Sequence, residues 1–144
     1  MVLSSNQIII RALRLMRVVG EAEMPAAADV TVGWNALVDM LDAWNGDPGI
    51  VPDMCDDFTM PGFDSPSSSV DVPDDQGPGL RALITYNLAC EAAPEFGVVV
   101  DTAVAARAAA TMRNWRIRVA ALHMGRIKHP EFRRRSHYDI REGE

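Results

Sequence analysis

Apolar residues recur at helical spacing in four stretches of the chain, each with its own boundary signals. With Ile9 as origin and about 100° per residue, Ala12, Leu13, Met16 and Gly20 cluster around it while Arg11, Arg14 and Arg17 lie opposite. This predicts an amphipathic helix over 5–19, with Ser4 or Ser5 capping its start and Gly20 at C′. Val30, Trp34, Leu37, Leu41 and Trp44 follow the spacing 4, 3, 4, 3, with Asn35, Asp39 and Asp42 on the other side. A second helix over about 26–45 follows, its two indoles reading as core. Asn45-Gly46-Asp47-Pro48-Gly49 stops it.

A third helix begins after Gly77-Pro78-Gly79 and is closed by Pro94 and Gly97, with Leu80, Leu83, Ile84 and Leu88 on one face and Arg81 and Thr85 opposite. Asn87 falls within that apolar face. An unpaired amide there costs about 1–3 kcal/mol, so a structural hydrogen bond fixing helix register is expected of it. Asp101 suits the N-cap of a fourth helix over 102–127, roughly 39 Å long, whose stripe is Val104, Ala108, Met112, Trp115, Val119 and Leu122. Six alanines between 103 and 110 are spread around all its sides, which predicts a central helix approached on more than one face. The sum is an all-α bundle of about four helices.

Residues 46–79 break the pattern with most of the nine prolines, five glycines, the run Ser67-Ser68-Ser69 and eight aspartates. So long a stretch inside a compact domain implies a functional loop or local strands. Phe58-Thr59-Met60 alternates weakly and reads as half of a short hairpin with the segment near Val70 and Val72. The chain thus divides into a helical domain, 1–125, which contains this loop, and an arm, 126–144.

Charge changes the picture. The total is −6, but residues 1–20, 21–80, 81–106 and 107–144 carry +3, −13, −2 and +6, so an acidic middle faces a basic end. The arm, from Arg126-Ile127-Lys128-His129-Pro130 through Phe132, Arg133, Arg134, Arg135, Tyr138 and Ile140, has too few apolar residues to build a core, and reads as a segment that orders on a partner. Thirteen uncompensated acids repel phosphate, whereas arginine forks match carboxylates. Docking onto an acidic protein surface is therefore preferred. The alternative is a helical DNA-binding module using Arg113, Arg116, Arg118, Arg126 and Arg133–Arg135 on phosphates.

Candidate chemistry adds little. Asp53, Asp56 and Asp57, with Asp47 and Asp64 nearby, offer hard oxygen ligands to Mg²⁺ or Ca²⁺, but no EF-hand series is present; a metal-dependent enzyme is the weakest reading. His123, His129 and His137 have no serine or cysteine in a nucleophile setting, and no phosphate-binding glycine loop occurs. Cys55 and Cys90 form no metal-ligand pair and read as reduced thiols of a cytosolic product. The Ile8-Ile9-Ile10 run meets Arg11 too soon for a signal-peptide core, and no apolar run approaches a membrane span. No catalysis, metal or cofactor is expected.

The stretch from Pro78 to Gly97 contains Leu80-Arg81, Asn87-Leu88-Ala89 and Ala93-Pro94-Glu95-Phe96-Gly97. It resembles the central signature of the tail accessory factors, the head-to-tail adaptors of tailed bacteriophages. The opening Ile10-Arg11-Ala12-Leu13-Arg14-Leu15-Met16-Arg17-Val18-Val19-Gly20-Glu21, the stripe ending Leu41-Asp42-Ala43-Trp44, and the Ala-rich helix extend the likeness over about 4–125. The resemblance implies an α-helical virion protein of the neck, assembled in the host cytoplasm. It would form a ring of about twelve copies beneath the portal ring, contact a downstream tail or neck protein, and extend the DNA channel without sequence-specific binding, helping to retain the packaged genome. It implies portal contact by Arg126, Ile127, Lys128, His129, Phe132, Arg133, Arg134, Arg135 and Tyr138. In such a ring Arg107, Arg113 and Arg116 would face Asp53, Asp56 and Asp57 of neighbouring copies, and no membrane partner is implied. A short arm and a long Asp/Ser/Pro loop depart from the family pattern.

Overall fold

The computed structural model describes residues 1–52 and 60–127, without the side chains at 123 and 125–127. The elements run β1 (Val2–Ser4), α1 (Ser5–Leu15), α2 (Ala27–Asn45), β2 (Ser69–Asp71), α3 (Gly77–Ala92) and α4 (Thr102–Ile127). Among the described residues this is an all-α bundle of four helices with one two-stranded ribbon. The core gathers Ile9 and Leu13 of α1, Leu37 and Leu41 of α2, Leu80, Leu83, Ile84 and Leu88 of α3, and Trp115 and Val119 of α4. Trp44 and Trp115 are buried as the stripes require, while Trp34 is half-buried at the core's edge.

α3, not the Ala-rich α4, is the central helix. It packs against α1, α2 and α4, whereas α4 lies chiefly along α3 and leaves Ala103, Ala105, Ala106 and Ala109 in solvent. Alanine permits close approach on every side, but only larger side chains reward it with buried area, and α3 carries those. For the same reason Thr85, expected opposite the apolar face, is only 1% exposed: α1 covers that side. Leu122, expected in the buried stripe, is 42% exposed because α4, at 26 residues, outruns the 16 of α3.

The register of α3 on α4 is set by Asn87, whose Nδ2 donates to its own helix at Leu83 O (2.8 Å) and reaches Ala108 O and Thr111 Oγ1 at 3.4 Å. This is the structural bond the sequence demanded. Asp101 caps α4 as expected, its Oδ1 accepting from Ala103 N at 2.9 Å. α1 and α2 cross at Gly33, where an added Cβ would lie 2.8 Å from Ile9 Cγ2, so only a residue without a side chain allows this approach.

Of the expected hairpin partner, Met60 is not in a strand and residues 58 and 59 lie outside the described residues; among the described residues β2 pairs antiparallel with β1 at the chain's beginning, Leu3 opposite Val70. The reason is Ser5, which is fully buried and does not cap α1. Its N donates to Ser68 O (3.0 Å) and its Oγ lies within hydrogen-bond distance of Ser65 O (2.9 Å) and Ser68 O (3.0 Å). A polar side chain in the core demands partners, and the Ser65–Ser68 turn supplies them. Ser4 holds the N-cap position without a side-chain bond.

α1 also ends earlier than expected. Val18 N donates to Leu13 O (3.1 Å) and Arg17 N to Arg14 O (3.0 Å), with Arg17 at φ 60°, so Arg17 and not Gly20 holds the left-handed C′ position. The same paired bonds close the turn after α3, Val98 N to Ala93 O and Gly97 N to Pro94 O, with Gly97 at φ 63°. One turn has the residue suited to it and the other does not. Arg17→Gly is therefore expected to raise stability and Gly97→Ala to lower it, each by about 1 kcal/mol, in urea unfolding followed by circular dichroism. Equal or reversed signs would contradict this account of the two turns.

The Met1 ammonium donates to Asp74 Oδ1 (2.6 Å), Val72 O (2.9 Å) and Asp71 Oδ1 (3.1 Å). Hydrogen bonds to Asp74 and then Asp71 raise the ammonium above its ordinary 8.0, and the ammonium holds the Asp74 carboxyl below its ordinary 3.8. A raised amine stabilises fully below 8.0 and loses its effect as pH rises through its folded value. A lowered acid stabilises above 3.8 and loses its effect as pH falls through its own. The tie is thus complete between these limits. Asp74→Asn should return the amine toward its ordinary value in an NMR titration; an unmoved amine would mean that Asp74 does not hold it in solution.

Candidate docking surfaces

The basic residues fall into two groups. On α4, Arg116 Nη2 pairs with Asp47 Oδ2 at 2.9 Å, both groups partly exposed, and the Arg118 guanidinium lies 5.8 Å from the centre of the Trp115 ring. Asp47 Oδ1 also accepts from Gly49 N at 2.8 Å, which folds the start of the acidic segment into a turn against α4. Trp115 Nε1 donates to Ile50 O at 3.0 Å within the core. Part of the charge polarity between the acidic middle and the basic end is therefore satisfied inside one chain.

Arg107 and Arg113 remain exposed on α4 without an ion pair to another described residue. Arg113 and Arg116 border an apolar groove floored by Met112, Ile117 and Ala120 beside Asn87. Past Val119 the described side chains of α4 stand in solvent, Met124 at 72%. Arg126 and Ile127 belong to this projecting end, so the helix runs through the expected boundary at 125. Lys128, His129, Phe132, Arg133, Arg134, Arg135 and Tyr138 lie outside the described residues, as do Asp53, Asp56 and Asp57.

A second basic group was not singled out by the sequence as a site. A cleft of about 710 Å³ between α1 and α3 is lined by Arg11 and Arg14 from α1 and Arg81 from α3, with Gln7, Glu21 and Thr85. None of the three arginines pairs with a described acid, and the buried Thr85 Oγ1 has no hydrogen-bond partner. The signal in the sequence was present but split: Arg11 and Arg14 form one polar face, and Arg81 joins them only when α1 packs on α3. The opposite charge gathers where α2 meets the end of α3. There Asp39, Glu91 and Glu95, all exposed, line one groove with Trp44, and no cation among the described residues joins them.

Cys90 is half-buried, and burial, with Glu91 next to it, pushes its thiol above the ordinary range, away from nucleophilic use. Among the described residues no cluster of three metal-ligating side chains occurs, and no helix is long and apolar enough to cross a membrane. Neither the comparison with protein families nor that with curated proteins gives a match to this chain.

The Trp115 bond is the buried one of two links, with the Arg116–Asp47 pair, between the acidic segment and α4. Trp115→Phe keeps an aromatic side chain but gives up the Nε1–H and part of the buried indole, stranding the Ile50 carbonyl, and is expected to cost at least about 1–3 kcal/mol in urea unfolding and to speed proteolysis near residues 46–52. Unchanged stability and cleavage would show that the bond is not what holds this segment.

Proposed function

We propose that the chain is a structural adaptor of the head-to-tail type, docking through the far end of α4 and the residues after it. The observation that carries this reading is the projection of α4. Beyond Val119 none of the other described helices covers it, yet it keeps Leu122 at 42% and Met124 at 72% exposure, with Ile117 at 60% just before. Large apolar side chains on an unsupported helix end, followed in sequence by Arg126 and the Arg133-Arg134-Arg135 run, combine apolar anchors with carboxylate-seeking forks. A helix-presented docking end of this kind suits a portal ring as the partner, which is what the resemblance at Pro78–Gly97 implies.

The residues that carry the resemblance also form the α3–α4 connection. Ala93-Pro94-Glu95-Phe96-Gly97 is the segment whose paired hydrogen bonds and left-handed Gly97 reverse the chain, so the residues that carry the likeness set how α4 leaves α3. The reading assigns no catalytic residue, and DNA passes the assembled ring without strong affinity for a single copy.

Removing residues 126–144 should leave helicity and thermal unfolding nearly unchanged, because the described core ends at Val119, and should abolish co-sedimentation with portal-bearing phage heads. Co-sedimentation at the full-length ratio would refute the docking role. Submicromolar, steeply salt-dependent binding of the intact chain to duplex DNA would favour the DNA-binding alternative instead.

A further inference from the structure

Like Arg107 and Arg113, three further arginines have no ion pair among the described residues, but these three lie together. Arg17 and Arg116, in the same bundle, have each found an aspartate. Arg11, Arg14 and Arg81 instead converge on one cleft, whose lining holds a single acid, Glu21, ion-paired to none of them, and a Thr85 hydroxyl that is buried and unbonded among the described residues. A buried hydroxyl without a partner is costly, and a carboxylate entering between the guanidiniums would accept its proton while pairing with the arginine forks. With three guanidiniums against the one carboxylate of Glu21, the cleft keeps a surplus of positive charge for carboxylates from outside it.

The chain also carries carboxylates with the matching deficit. Asp39, Glu91 and Glu95 form an exposed edge whose lining holds no cation among the described residues. One copy cannot bring the two patches together. Arg81 and Glu91 stand ten residues apart on the single helix α3, about 15 Å along its axis. Two copies can.

We infer that the α1–α3 cleft is the receiving half of a head-to-tail contact and takes the Asp39, Glu91 and Glu95 edge of a second copy. Because donor and receiver are different surfaces, each contact leaves one of each free, and repetition continues until a ring closes or a filament forms. The inference rests on the adaptor reading only in expecting closure into a ring. It also puts the receiving arginines on α1 and α3, where the sequence pointed to α4. The contact is between partly exposed charges, so it weakens as salt shortens the screening length.

Charge reversal tests it. Arg14→Glu with Arg81→Glu makes the cleft acidic, and Glu91→Arg with Glu95→Arg makes the edge basic. Self-association is read by sedimentation equilibrium of the full chain over a concentration series at about 0.1 M and about 1 M salt. The wild type is expected to associate at the lower salt and dissociate at the higher, and each reversed chain alone to associate at least about tenfold more weakly. An equimolar mixture should recover association, since each acidic cleft then meets a basic edge and each basic cleft an acidic one, with the two kinds alternating in native mass spectra. Thr85→Val, which removes the hydroxyl and keeps the shape, should weaken association without loss of helicity. Arg14→Gln with Arg81→Gln replaces the reversed pair if that chain fails to fold.

A wild type that stays monomeric at every concentration, reversed chains that associate as the wild type does, or a mixture that fails to recover would each overturn the inference. So would undiminished association in Thr85→Val. Inorganic phosphate that shifts the Thr85 and Arg81 NMR signals, in chains whose association ignores charge reversal, would show a free oxyanion as the occupant instead. Co-sedimentation with portal-bearing heads, measured on the same variants, separates the two claims. Retained binding with lost self-association leaves the adaptor reading standing, and the converse leaves the contact standing without it.

Discussion

Helix α3 is in contact with each of the other three helices, and its Leu80, Leu83, Ile84 and Leu88 are at most 1% exposed. Side chains of this size contribute about 1.5–3 kcal/mol each when fully buried, so covering this one helix supplies much of the reason for the bundle to exist. The elements around it are placed by what they must cover. α1 closes one side and brings Ile9 and Leu13, α2 reaches α1 through the gap at Gly33, and α4 lies along a third side in the register that Asn87 sets. A helix apolar on most faces leaves little of itself for function, and functional surface is pushed to its neighbours and ends.

The periphery follows from lengths and charges. α4 has ten residues more than the α3 it packs on, so its last turns are not buried by the described residues, which leave their apolar side chains uncovered. The acidic segment is held at both sides rather than left loose. Ile50 is buried and bound through its carbonyl to Trp115, while Val72 is buried and bound through its backbone to Met1. Those tethers use one acid against Arg116 and two against the N-terminal ammonium, and leave Asp39, Glu91 and Glu95 unspent on one edge. Surplus acid on one surface and surplus arginine in the α1–α3 cleft are consequences of a single packing arrangement.

Helix existence and type were legible in the sequence because each stripe repeats over several turns and is bounded by glycine, proline or a capping aspartate. The starts and ends of α2 and α4 fall within a residue or so of the spacing-based limits, and the need to satisfy Asn87 followed from chemistry alone. The sequence could not show which helix is central, since the six alanines of α4 and the four large aliphatic residues of α3 look equally apolar along one chain and differ only in the area they bury against neighbours. It could not show that Thr85 is covered, that Ser5 serves the Ser65–Ser68 turn, or that β2 pairs with residues 2–4, because each depends on partners more than 55 residues away. The basic arm was read from local composition, but the α1–α3 cleft was not, since Arg11 and Arg14 meet Arg81 only after two helices pack. Periodicity fixes what a segment becomes; tertiary packing alone decides which of its faces is left for others, because burial belongs to pairs of surfaces and not to either one.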